Sequence, residues 1–433
     1  MNRLQANILS YSFLSSFMLD QMEGERDRIS DLPDSLLEYI LTFLPTKYAV
    51  RTGVLSKRWK DLWVSHPYVS LRDDGINNQT VKVSKFMNFL NKILLHPQAK
   101  VKKIQLSSRE RLESPEFIRW FQAVMMKDDL EELDLGFRKI YHTPQSNLTV
   151  CNTLVILKLD FGAFSGNKFP KSFCFPNLKT MHLNGFLLAY NFPNQLLQCR
   201  NLESLIIRNY ILDLMSHGLV LNGSDDQKEV LSNISNAQID SCYGFHGDVS
   251  DRSFLKNMIN AVSNAKDLDL SLSIMEYLDR VFPNDMLEFN NLKHIKLYLR
   301  SSHVGALGYI LQKAPNLESL HIESDGPYGS AHDALMLEQL RSSCSSANLK
   351  VIRMTNFILE DPVLELVQLI FDSAGSLEDI VIELDARLEM NNFLQCEKLL
   401  KLPRLSEDSV LHLKWEFGYS HHYFGHSHSY YHP

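Results

Sequence analysis

The sequence predicts an α/β chain in which three short helices lead into an elongated solenoid, with a parallel sheet on its concave face and helices and turns on its convex face. Two observations carry this prediction. Apolar residues recur at a helical period between positions 33 and 63, and a strand-like pattern L-x-x-L-x-L then returns along the rest of the chain, four times in succession at a spacing of 24 residues. A third observation, two last strand patterns followed by a helical stretch near Asn392 to Leu400 and the run KLPRLSEDSVLHL, predicts a cap at the far end.

The helical part comes first. Leu36, Leu37, Ile40, Leu41 and Leu44 fall at i, i+1, i+4, i+5 and i+8, with Pro33 suited to the first helical position and Pro45 suited to ending the helix. Thr46 is placed to cap a second helix lined by Ala49, Val50, Gly53 and Val54. Ser56 is placed to cap a third that carries Trp59, Leu62 and Trp63. Fewer than ~60 residues cannot hide so many Leu, Val and Trp side chains, so part of this apolar surface is expected to face a partner.

The repeats follow. LEELDL begins at Leu130, LVILKL at Leu154, LKTMHL at Leu178 and LESLII at Leu202; looser copies begin at Val101, Ile234, Ala265, Leu292, Leu317, Leu349 and Leu377, giving eleven units at spacings of 24 to 32. One unit alone buries little; stacked, the inward residues of successive strands form a continuous ladder. Longer units carry helical patterns before the next strand, from Ser253, His303 and Pro362, and these belong on the convex side. The tightly spaced units around Pro170 and Pro176 leave room only for turns or short 3₁₀ segments.

Alternation along each strand buries the two core positions and exposes their neighbours on the concave face. The exposed set includes Glu132, Asp134, Lys158, Asp160, His182, Asn184, Ile206, Arg208, Asp267, Asp269, Lys296, Tyr298, His321, Glu323, Arg353, Asp379 and Glu383. With Asp240 and Lys103 added, nine acidic residues stand against five basic ones, a lean toward a basic partner. Asp267 and Asp269 lie two apart on one strand and read as solvated carboxylates in preference to a catalytic pair.

Composition excludes other classes. A net charge of −7 without a Lys/Arg run argues against nucleic acid as the main partner. The six cysteines contain no CxxC pair and read as buried thiols of a reducing compartment, neither a disulfide framework nor a zinc site. The apolar stretch at 8–19 imitates a weak signal peptide, yet is too short to span a bilayer, so no membrane partner is expected. Phosphate-loop, dinucleotide-binding, nucleophile-elbow and HExxH motifs are absent. The His- and Tyr-rich residues 416–433 read as a flexible tail in preference to a weak metal site, and residues 1–26 as a flexible N-terminus.

The wording of the helical part is specific. LPDSLLEYILTFLPTK from Leu32 and AVRTGVLSKRWKDLW from Ala49 resemble the plant F-box at nearly every diagnostic position. The repeats resemble leucine-rich repeats over 72–346. The runs NLKVIRMTNF, ELVQLIFDSAGSLEDIVIEL and LLKLPRLSEDSVLHL resemble the FBD module, placed at 347–415 after an F-box at 27–71. This resemblance implies a substrate-receptor subunit of an SCF-type ubiquitin ligase, non-catalytic and without cofactor or metal, in cytoplasm or nucleus; the alternative is a Skp-binding scaffold that directs no degradation. It also implies that Leu32, Pro33, Leu36, Leu37, Ile40, Leu44, Pro45, Val50, Val54, Leu55, Trp59, Leu62 and Trp63 form the docking face for a Skp-type adaptor, and through it for cullin and RING subunits. The concave residues would hold a target protein.

Overall fold

The structure, a computed structural model, describes residues 29, 31–44, 46–63, 68–72, 101–112, 121, 123–125, 127–140, 151–162, 167–213, 230–241, 249–281, 288–299, 304–324, 348–357, 361–384, 392–402 and 410–415. Pro45 and the two terminal segments 1–26 and 416–433, to which the sequence assigns roles, lie outside these residues.

The N-terminal unit holds helices α1 (Asp34–Thr42) and α2 (Thr46–Arg51), a 3₁₀ turn (Thr52–Val54) and α3 (Trp59–Leu62). Pro33 stands one position earlier than expected, before the helix in extended conformation (φ −58°, ψ 150°), and its carbonyl accepts from Leu36 and Leu37 N–H. Ser56 caps α3 as predicted, its Oγ accepting from Trp59 N–H at 3.4 Å. Thr46 does something other than cap. Its hydroxyl accepts from Ser70 N–H at 2.8 Å and donates to the Tyr68 carbonyl at 3.4 Å, tying the helical unit to the strand that follows.

That strand, β1 (Tyr68–Arg72), opens a parallel sheet. It continues through β2 (Lys103–Leu112), β3 (Glu132–Ile140), β4 (Ile156–Asp160), β6 (Thr180–Asn184), β8 (Ser204–Leu212), β9 (Asn236–Ser241), β10 (Asp267–Leu270), β11 (His294–Leu299), β12 (Ser319–Ser324), β13 (Val351–Phe357), β14 (Asp379–Leu384) and β15 (Val410–Trp415). Each predicted unit supplies one strand, which begins two residues after the motif starts. β1 and β15 extend the array at either end, so the residues assigned to a C-terminal cap add a strand of their own.

Alternation decides the layers. Leu157 and Leu159 on β4, Met181 and Leu183 on β6, and their counterparts on the other strands are buried in one continuous core. Helices contribute to the same core, among them α5 (Val249–Ala261), α6 (Leu272–Val281), α7 (Val304–Lys313), α8 (Asp361–Ser373) and α9 (Asn392–Leu400). A helix is ~10 Å across whereas strands repeat at ~4.8 Å, so the helix-bearing side is the longer, convex one and the bare sheet face is concave.

The middle units differ from the prediction of turns or short 3₁₀ segments. β5 (Asn167–Lys168) and β7 (Phe186–Leu188) form a second small parallel sheet against the end of β8, followed by α4 (Phe192–Leu196). The reason is the phenylalanine content of the connections: Phe161, Phe169, Phe173, Phe186 and Phe192 stack on one another at centroid distances of 5.0–5.6 Å and draw the chain inward. Asn209 (φ 50°) and Asn356 (φ 61°) take left-handed conformations where β8 and β13 shift register, a geometry that Asn tolerates better than most residues.

Between strands, each unit is pinned to the one before. The amides of Asn177, Asn201, Asn233, Asn316 and Asn348, each directly preceding a repeat's first apolar residue, donate to carbonyls of Asn152, Pro176, Arg200, Asn290 and Pro315 at 2.6–3.0 Å. Beside this ladder run the ion pairs Lys102–Glu131, Lys179–Glu203 and Lys293–Glu318. Exposed pairs of this kind contribute little individually, whereas the amide bonds satisfy backbone carbonyls that no strand uses.

Candidate functional site

Two surfaces carry the residues of interest. On the helical unit, Leu37, Leu41, Ala49 and Trp59 form a small core, with Leu32, Leu44, Leu62 and Trp63 packed against it; Trp63 also touches the repeat core. Leu37 and Trp59, read from the sequence as docking contacts, therefore point inward, and Trp59 is 5% exposed. They hold the three helices together instead of facing a partner. The reason is steric: so short a unit needs its largest side chain and the middle of α1 for its own interior.

What remains outside is strongly apolar. Leu36 and Ile40 on α1 are exposed, and Val54 and Leu55, at 88% and 70%, are more so. Pro33 is exposed and Val50 half-buried. Phe43, 70% exposed, packs edge-on against Tyr39 at 5.0 Å, and Tyr48 lies under the Arg51 guanidinium at 5.8 Å. Tyr39, Phe43 and Tyr48 were not singled out by sequence reasoning. Their signal was there: with Leu36 and Ile40, Tyr39 and Phe43 continue an i, i+3, i+4, i+7 stripe. Arg58 clamps the start of α1, donating to Asp34 Oδ1 at 2.8 Å and to the Leu32 carbonyl.

The second surface is the open face of the sheet. Strand register lines up Asp134, Lys158, His182, Ile206, Gln238, Asp269, Lys296, His321 and Arg353 in one row across nine strands. Glu132 and Asp267 flank that row on one side; Asp160, Arg208, Tyr298 and Glu323 flank it on the other. Every residue named from the sequence for this face is half-buried or exposed, as the alternation requires.

Most of its charges already have partners. Gln105, overlooked in the sequence, donates to Asp134 at 2.8 Å; Asn184 donates to Asp160 at 2.7 Å; Arg208 donates twice to Gln238 Oε1 at 3.0 and 2.6 Å. Lys296 pairs with Glu323 at 2.8 Å and lies 4.7 Å over the Tyr298 ring. His321 bonds Thr355 Oγ1 at 3.2 Å.

Partial burial tunes several of these groups. It pushes the His182 imidazole down to about 4, with Lys158 and Arg208 acting in the same direction, so this ring is neutral at physiological pH. It pushes the Asp269 carboxyl up to about 6, against the pull of Lys296 and with Asp240 adding to the rise. Asp240 is raised too, by burial first, although a hydrogen bond from Ser271 opposes the rise. Among the described residues no group of three or more His, Cys, Asp or Glu is placed to hold a metal ion. The four described cysteines are free thiols, and burial pushes Cys199 up to about 12, far from a reactive thiolate.

Comparison with known proteins separates the two surfaces by family. A model of the F-box domain matches residues 29–70, and a model described as FBD-associated F-box protein At5g56370, LRR repeats, matches residues 117–229. The chain is 27% identical over 446 residues to FBD-associated F-box protein At5g22730 of Arabidopsis thaliana, covering 88% of this chain and 93% of that protein. It is 29% identical over 355 residues to F-box/FBD/LRR-repeat protein At5g22700 of the same plant, covering 69% and 79% respectively.

Proposed function

We propose that this chain, which carries an F-box and is similar to plant F-box/FBD/LRR-repeat proteins, generally non-catalytic SCF adaptors, is the substrate-recognition subunit of an SCF-type ubiquitin ligase. Its F-box docks on a Skp-type adaptor, as F-box domains generally do, and through it on cullin and RING subunits. The open face of the repeats holds the target.

The observation that carries the reading is one of exposure and attachment. Val54, Leu55, Phe43, Leu36 and Ile40 present apolar surface on a unit that is fastened through Thr46 to β1 and through Trp63 to the repeat core. Unpaired apolar surface of this kind marks a docking face. Its attachment to the repeats fixes the distance between adaptor and target. Ubiquitin transfer then needs no catalytic group from this chain, because holding a target lysine beside the loaded thioester raises its effective concentration. We place the complex in cytoplasm or nucleus. Among the described residues no helix is long and apolar enough to cross a membrane.

The test is reconstitution. Full-length protein, Skp-type adaptor, cullin and RING subunits are combined with a protein captured by proximity labelling, and ubiquitin chains on the captured protein should depend on this chain. A captured protein that binds but is never modified would instead favour the scaffold reading.

A further inference from the structure

We propose that two copies of this chain join at the last strand of the sheet, their β15 strands pairing antiparallel about a two-fold axis at His412. The two ends of the sheet differ. At the first, the Thr46 hydroxyl takes up the Ser70 N–H and the Tyr68 carbonyl of β1, and Val69 is buried. At the last, β15 pairs with β14 alone among the described residues. Val410 N–H donates to the Glu378 carbonyl at 2.9 Å, so by alternation the N–H and C=O groups of Leu411 and Leu413 point away from β14. The core is unfinished at the same place. Ile380 and Ile382 on β14 are fully buried, whereas their register partners Leu411 and Leu413 are half-buried, as is Leu402. Leu400, the last residue of α9, is 54% exposed and Val410 52%.

Outward backbone groups beside half-buried leucines call for a strand as the occupant, and the page identifies that strand as a second β15. Because Thr46 occupies the outer groups of β1, copies cannot add head to tail; pairing of last strand with last strand closes after two. The strand VLHLKW is complementary to itself. With His412 on the axis, Leu411 of each copy stands opposite Leu413 of the other in a doubly hydrogen-bonded pair, and both leucines stay on the core side. A slip of one residue would set each leucine opposite a concave side chain, and a slip of two toward the strand's end would set His412 opposite Lys414, cation against cation. In the favoured register Lys414 faces Val410 instead. The edge cations are also drawn back, since Lys414 lies 3.6 Å from Glu383 and His412 3.5 Å from Asp379, both on the strand behind. The joined pair carries two helical docking units and two concave faces, so a target with two matching segments is held by both.

The experiment measures the mass of the full-length chain bound to a Skp-type adaptor, which covers the exposed leucines of the helical unit, by light scattering over a dilution series. Two chains per particle are expected. Leu411→Pro removes an outward N–H that β14 does not use, so it should raise the dissociation constant of the pair by about tenfold or more while the melting temperature stays close to that of wild type. A second measurement does not depend on that variant folding. His412→Cys, at an exposed position, should cross-link two chains through residue 412 when diamide oxidises the thiols, because residues facing each other on the axis lie within disulfide reach; Lys414→Cys should not. The cross-link is mapped by mass spectrometry, with and without the adaptor, so its outcome is separate from that of the adaptor reading. One chain per particle at every concentration together with no cross-link at residue 412 overturns the proposal. A pair that survives Leu411→Pro and lacks the cross-link also overturns it, by placing the contact elsewhere. So does a single chain that captures a target strand only while Leu411 is intact, which would make this edge a target site.

Discussion

Replacing Asp269 by asparagine should make the protein more stable at neutral pH, and the gain should vanish on acidification. A carboxyl raised from 3.8 to about 6 is bounded at ~3 kcal/mol of unfavourable interaction, at ~1.4 kcal/mol per tenfold, and solvent screening of a half-buried group reduces this to ~1–2 kcal/mol. Because the folded chain holds this proton more tightly than the unfolded chain, the cost is fully present above about pH 6 and is relieved as pH falls toward 4. His182 works in the opposite direction. Its imidazole is pushed from 6.5 down to about 4, so the unfolded chain takes the proton first and stability falls over nearly the same interval. In the wild type the two slopes oppose each other. Asp269→Asn should unmask the histidine and steepen acid destabilisation, whereas His182→Asn should leave the carboxyl's gain and flatten it. Urea unfolding of the full-length chain at four values between about pH 7.5 and 4.5 measures both. Equal or lower stability of Asp269→Asn at about pH 7.5, or a difference that does not change with pH, would falsify this account of the patch.

Further outcomes follow from the same geometry. Leu157→Asp places a carboxylate in the repeat core and should cost several kcal/mol, while Lys158→Asp, one residue along on the open face, should stay within about 1 kcal/mol; equal melting temperatures would show the register to be wrong. Val54→Glu should abolish adaptor pull-down without lowering the melting temperature, whereas Trp59→Ala should lower both by emptying the small core, a cost of ~3–5 kcal/mol. Asn167 is fully buried and, among the described residues, neither of its amide atoms has a hydrogen-bond partner, so Asn167→Leu should stabilise by ~1–2 kcal/mol in chemical unfolding; destabilisation would indicate a partner for that amide. A fragment starting at residue 81 removes β1 and bares β2, and should aggregate more than one starting at residue 64, as light scattering would show.

The repeat pattern was legible because a solenoid repeats its physics: each L-x-x-L-x-L marks a strand, and the two faces follow from alternation alone. β1 was not, since YVSLR is a single short strand whose identity depends on pairing with β2 and on the Thr46 hydroxyl, a contact 24 residues distant. The asparagine ladder could have been read from the Asn that stands before Leu178, Leu202, Ile234, Leu317 and Leu349. On α1 the stripe was visible, but apolar residues cover so much of the helix that inward Leu37 and outward Leu36 and Phe43 could not be separated without knowing where Trp59 packs. The choice of Lys296 to pair with Glu323 instead of Asp269 is made by side-chain rotamers within a register, a level below any sequence pattern.

The central claim is that this chain brings a target to the ubiquitin machinery through two separate surfaces. Its most direct test is the half-life of a protein captured by the concave face, followed in a cycloheximide chase with the proteasome active, in cells carrying wild type or Val54→Glu. The F-box variant should bind the target as well as wild type and lengthen its half-life severalfold, since the repeats remain intact while the link to the cullin is lost. Equal turnover of the bound target with both proteins would contradict the substrate-receptor account.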